Sequence, residues 1–124
     1  MLIPIIHFDG DCANAIALYE KAFNTKVGDY DYNDDNKIRH AEMLIHGQKV
    51  FLNDAKKFIN KTFGVDCAAH FSLTFDTAEE LLDCYEKLKE GANLPTQFAK
   101  TSYSKLVGNF ADKFGVLWGF MVVG

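Results

Sequence analysis

The sequence predicts an α+β fold built from two βαβββ modules, and three observations carry that prediction. An apolar, strand-like run feeds an amphipathic helix twice, in IPIIHFDGDCANAIALYEKAF and again in CAAHFSLTFDTAEELLDCYEKL. The two copies keep a fixed offset, since Tyr19-Glu20-Lys21 recurs as Tyr85-Glu86-Lys87, 66 residues on. In each half, three further strand-like runs follow the helix. A chain of 124 residues with 48% apolar and 24% charged content has enough core material for one compact domain made of two half-size modules. We divide it into module one (1–55), a connector (56–66) and module two (67–124).

Each element has a local reason. LIPIIHF (2–8) is short, apolar and β-branched, and Asp9-Gly10-Asp11 stops it. Asp11 is placed to cap a helix over 12–23, where Ile16, Tyr19 and Phe23 make one apolar stripe and Asn24 closes the last turn. Residues 26–33 read as a polar strand that runs into the loop 33–36. KIRHAEMLI (37–45) and QKVFLND (48–54) read as a β-hairpin turning at His46-Gly47. AKKFINKTFGVD (55–66) fits neither period, and its lysines read as a solvated face. In the second half AAHFSLTF (68–75) is a strand, and Thr77 with Glu80 forms a capping box for a helix over 78–90. Leu81, Tyr85 and Leu88 mark its buried face and Gly91 its end. LPTQFAKT (94–101), SKLVGNFA (104–111) and GVLWGFMVV (115–123) supply three more strands, with a turn at Asp112–Gly115.

Charge and cysteine usage exclude several classes of function. A net charge of −4 gives no basic face for nucleic acid. No apolar run reaches membrane-spanning length, and MLIPIIHFDGD shows no basic leader, so a cytoplasmic protein without membrane contact is expected. The three cysteines, Cys12, Cys67 and Cys84, form no CxxC pair and read as reduced thiols. The acidic stretch Asp31–Asp35 lacks the glycine and terminal glutamate of a calcium loop and reads as solvated.

Paired βαβββ modules resemble the vicinal oxygen chelate superfamily of glyoxalases, bleomycin-resistance proteins and extradiol dioxygenases. More narrowly, the sequence is similar to the PhnB-like branch. The matching pieces are Phe8-Asp9-Gly10, Ala15-Ile16, Tyr19-Glu20-Lys21-Ala22-Phe23, Ile38-x-His40-Ala41-Glu42 and Leu52-Asn53-Asp54, followed by Gly108 and Asp112–Trp118. The resemblance implies modules that curl into half-barrels about a cleft, paired within a chain or across a homodimer. Some members of the branch carry a ubiquinone-methyltransferase name, but no Gly-rich loop follows a strand here to support methyl transfer.

The resemblance also implies metal ligands on the first and last strands of each module. Carried over one at a time, those positions fall on Pro4, Phe51, His70 and Gly119. Only His70 offers a donor, whereas a catalytic divalent metal needs about three. No cofactor is therefore expected. The reading is a small-molecule binding protein whose pocket, lined by Phe8, Phe51 and Tyr103, takes a small apolar or aromatic molecule. His70 is its polar anchor, Gly119 leaves room where a glutamate would stand, and Asn53 adds to a polar lining. The alternative is a metal-dependent lyase or dioxygenase-type enzyme using a rebuilt His40, Glu42 and His70 site, because a hairpin about His46-Gly47 sets Glu42 opposite Phe51 and His40 opposite Asn53. His7 is expected to face the helix, His46 to be exposed in its turn, and Trp118 to sit in the core.

Overall fold

A computed structural model of the chain describes residues 1–32, 35, 37–55, 70–93 and 97–123, which fall into two units, Met1–Asp66 and Cys67–Gly124. The structure is α+β. Unit one runs β1 (Ile5–Phe8), α1 (Cys12–Ala22), β2 (Tyr30–Tyr32), β3 (Ile38–Ile45) and β4 (Gln48–Asp54), the predicted βαβββ order. Its sheet has the order β1-β4-β3-β2, with β1 parallel to β4 and the other pairs antiparallel. Period-two alternation decides which side is buried. Ile6, Phe8, Ala41, Met43, Ile45, Val50 and Leu52 are buried on the α1 side, where they meet Ala15, Ile16, Tyr19 and Ala22 of the helix. The Phe8 and Tyr19 rings lie 6.3 Å apart, and Tyr19 and Phe23 5.7 Å apart. The β3–β4 turn is the expected one. His46 and Gly47 both take positive φ (50° and 78°), the backbone of a tight two-residue hairpin.

The start of α1 differs from expectation. Asp11 stands at the N-cap position, but its side chain makes no capping hydrogen bond. The carboxylate that does so comes from the end of β4. Asp54 Oδ1 accepts from the Cys12 amide at 3.0 Å, and its Oδ2 accepts from the Ile38 amide at 3.0 Å. One aspartate thus ties the first turn of the helix to the start of β3.

Unit two runs β5 (Phe71–Phe75), α2 (Ala78–Leu88), β6 (Val107–Ala111) and β7 (Leu117–Val122), in a three-stranded sheet of order β5-β7-β6. Thr77 caps α2 as predicted, its Oγ1 accepting from the Glu80 amide at 3.1 Å. The strand predicted over 94–101 is reduced, among the described residues, to isolated bridges at Asn93↔Ala111 and Ala99↔Val107. Phe98 turns into the core instead, against Tyr85 (5.0 Å between rings) and over Gly108, where a Cβ would stand 2.5 Å from the Phe98 ring. Tyr85, Phe98, Phe110, Phe120 and Phe75 form a continuous aromatic core under α2.

Trp118 is buried as expected, and its indole N–H donates to Asp112 Oδ2 at 2.9 Å. Asp112 is itself buried, and its Oδ1 accepts from the amides of Phe114 and Val116, which fixes the predicted turn before β7. No helix among the described residues is long and apolar enough to cross a membrane. The predicted connector lies, from residue 56 on, outside the described residues, as do the loop positions 33, 34 and 36.

Candidate functional site

In unit one the sheet face turned away from α1 carries the polar side chains. The β3–β4 register follows the predicted turn, with Glu42 opposite Phe51 and Ala41 opposite Leu52. On the other side of β4, the parallel pairing places Ile5 beside Phe51 and His7 beside Asn53. Two rows therefore form, His7 and Asn53 in one and Ile5, Phe51 and Glu42 across three strands in the next, with His40 on the same face of β3 as Glu42. Side chains so placed on neighbouring strands stand roughly 5 Å apart at Cβ.

The hydrogen bonds run along these rows and between them. His7 Nδ1 lies 2.7 Å from Asn53 Oδ1, and His40 Nε2 lies 3.1 Å from Glu42 Oε2. Lys49 Nζ approaches Glu42 Oε1 at 3.6 Å. The bond from His40 lowers the pKa of the Glu42 carboxyl, desolvation opposes it, and the charge of Lys49 adds to the lowering. The His40 ring meets Phe51 edge-on, 4.7 Å between centroids. Ile5 stays 49% exposed and Phe51 half-buried, so an apolar strip lies open between two hydrogen-bonded polar pairs.

Three expectations are corrected here. Phe8, expected to line the pocket, shares the parity of Ile6 and is buried against Tyr19 on the helix side. His7, expected on the helix side, takes the opposite parity and joins Asn53. The equivalence of Pro4 with His70 also shifts by one. Ile5 pairs with Phe51 and Ser72 with Gly119, so relative to the last strands the first strands repeat at 67 residues, while Cys12–Ala22 and Ala78–Leu88 repeat at 66. The extra residue sits in the turn Asp9-Gly10-Asp11, where Gly10 takes φ +90°, against the shorter Asp76-Thr77 before α2. Ile3, not Pro4, therefore matches His70, and neither offers a metal donor.

In unit two, Ser72, Gly119 and Asn109 form a row on the sheet face turned away from α2, and exposed His70 precedes β5 with the same parity. The room expected above Gly119 is taken. A Cβ on Gly119 would stand 2.8 Å from His70 Nε2 and 3.0 Å from Asn109 Oδ1, so the imidazole and the amide converge over the bare glycine. Tyr103 stands outside that row, in the turn closed by the Thr101 amide donating to the Ser104 carbonyl, with 70% of its surface exposed. His7 and Asn109 were missed in the sequence. Parallel pairing of β1 with β4 would have found the first, and counting back across the Asp112–Gly115 turn the second.

Of the positions at which the superfamily resemblance implies metal ligands, only His70 carries a donor. Ile3, Phe51 and Gly119 supply no donor, and the glycine at the last position is covered by His70 itself. Among the described residues, no three His, Cys, Asp or Glu side chains gather as a group able to hold a metal ion. Glu42 and His40 already engage each other.

Comparison with known proteins agrees with this architecture. The chain is 24% identical to Protein YjdN of Escherichia coli K12, over 98% of this chain and 95% of that protein. Its fold is similar to that of a PhnB protein from Bacillus cereus, described as a putative 3-demethylubiquinone-9 3-methyltransferase, with a TM-score of 0.84 at 22% identity over 98% of each chain. A protein from Pseudomonas aeruginosa superposes with a TM-score of 0.80 at 20% identity, over 99% of this chain and 98% of that one. The family model for the glyoxalase, bleomycin resistance protein and dioxygenase proteins matches residues 3–120. The chain belongs to the Glyoxalase/Bleomycin resistance protein/Dioxygenase superfamily.

Proposed function

We propose that this protein is a PhnB-like binding protein for a small apolar or aromatic molecule, held on the face of the unit-one sheet turned away from α1 and bound without the superfamily's metal. One observation carries the proposal: exposed Ile5 lies beside half-buried Phe51, next to the hydrogen-bonded pairs His7–Asn53 and His40–Glu42. An apolar strip with polar groups fixed at its rim orients a ligand while apolar burial supplies about 25 cal/mol for each Å² removed from water. His70 and Tyr103, both exposed in unit two, are further candidates for ligand contact. A homodimer is part of the proposal, since β2, paired among the described residues with β3 alone, is a sheet edge that gains burial by association.

The test is a thermal-shift screen of aromatic and aliphatic compounds against dialysed wild type and Phe51→Ala, with the metal content of the same protein measured. Compounds that stabilise wild type and lose their effect in Phe51→Ala support the proposal. Stoichiometric metal that survives dialysis and is lost on His70→Ala overturns it in favour of the metal-dependent enzyme. Light scattering on the same sample reads the oligomeric state.

A further inference from the structure

The polar rim has a fixed hydrogen-bonding sense, and that sense narrows the ligand. Glu42 is held as a carboxylate, so in its 3.1 Å contact the hydrogen resides on His40 Nε2. In neutral His40 the other ring nitrogen, Nδ1, is then a bare acceptor. Across β4 the same reasoning applies to Asn53. Its Oδ1 lies 2.7 Å from His7 Nδ1, so this oxygen accepts from the ring, and the Asn53 group left for a ligand is the Nδ2 amide, a donor. The His40 ring sits against Phe51, 4.7 Å between centroids, and Asn53 follows Phe51 two residues on along β4, on the same face of the sheet.

We infer that the face selects a planar aromatic molecule bearing a hydroxyl or N–H donor and, on the same ring, a carbonyl-type acceptor. The donor meets His40 Nδ1, the acceptor meets Asn53 Nδ2, and the ring lies against Phe51 and Ile5. This rests on the proposed binding role of that face and adds the ligand class. Phenols with a meta carbonyl satisfy both ends. Simple carboxylates are ionised at neutral pH, offer no donor to His40 Nδ1 and satisfy only the Asn53 end.

Three compounds of nearly equal size and apolarity test the inference by NMR titration of the full chain at pH 7. 3-Hydroxyacetophenone offers both groups, 3-methoxyacetophenone lacks the donor, and 3-ethylphenol lacks the acceptor. Each missing hydrogen bond is expected to weaken binding about tenfold. His40→Phe, which keeps a ring against Phe51, should remove the advantage of the hydroxyl over the methoxy compound and leave that of the carbonyl. If the three compounds bind wild type equally, and all lose affinity in Phe51→Ala, the inferred polarity is wrong while the binding face stands. If none binds, or none depends on Phe51, both the inference and the binding face fall.

Discussion

Replacing Asp54 with alanine should destabilise unit one more than replacing Asp11, although Asp11 holds the position from which a helix is ordinarily capped. Asp54 accepts two backbone hydrogen bonds, from Cys12 at the first turn of α1 and from Ile38 at the start of β3, both at 3.0 Å and part-buried. A hydrogen bond to a charged group contributes about 1.5–3 kcal/mol, and losing a helix cap costs about 1 kcal/mol. Water replaces part of each contact in the variant, so Asp54→Ala should cost about 2–3 kcal/mol. Asp11 makes no side-chain capping bond, and Asp11→Ala should stay within about 0.5 kcal/mol, the usual range for a surface change. Asp54→Asn should fall between them, because it keeps one acceptor oxygen and turns an N–H₂ toward an N–H. Urea unfolding followed by circular dichroism gives all three values. An Asp11→Ala cost equal to or above that of Asp54→Ala would refute the assignment of the cap.

Trp118→Phe keeps a ring in the core but removes the indole donor to Asp112 Oδ2, and should cost about 1–2 kcal/mol in urea unfolding. Gly108→Ala forces the Phe98 ring off its seat, since a Cβ would come within 2.5 Å of it, and should cost about 1–3 kcal/mol. Phe98→Leu in the same background should recover part of that loss. Gly119→Ala, by contrast, meets only the end of the exposed His70 side chain and the Asn109 amide. It should cost little, and it should shift the His70 ring resonances by NMR. Burial pushes the Cys12 and Cys84 thiols up from 9.0 to about 12. In a Cys67→Ser background neither should react with a disulfide reagent at pH 8 until the protein unfolds. Because the folded thiols stay neutral while unfolded ones ionise, their contribution to stability should be intact below pH 9 and fall between pH 9 and about 12.

Which parts of this structure were legible in the sequence follows from how local each determinant is. The α2 cap, the His46-Gly47 hairpin and the Glu42–Phe51 register depend on residues a few positions apart, and the structure has them as read. The faces of β1 do not. They depend on its parallel pairing with β4, some 46 residues away, and a single residue in the Asp9-Gly10-Asp11 turn reverses the parity. Phe8 and His7 were exchanged for that reason, and Pro4 was matched to His70 in place of Ile3. The role of Asp54 was hidden in the same way, because its amide partners belong to elements far off in the chain. Gly119 read as empty space because the sequence gives a glycine's missing side chain but not the neighbour that covers it.

The central claim is that a small aromatic molecule binds on the face of the unit-one sheet turned away from α1. Chemical-shift mapping on labelled protein, titrated with the strongest stabiliser from the compound screen, tests this most directly. The largest changes should gather on Ile5, His7, His40, Phe51 and Asn53, with Ile6, Phe8 and Leu52 on the opposite face little affected. Saturable shifts centred on the α1 side, or on residues with no place in these two rows, would contradict it.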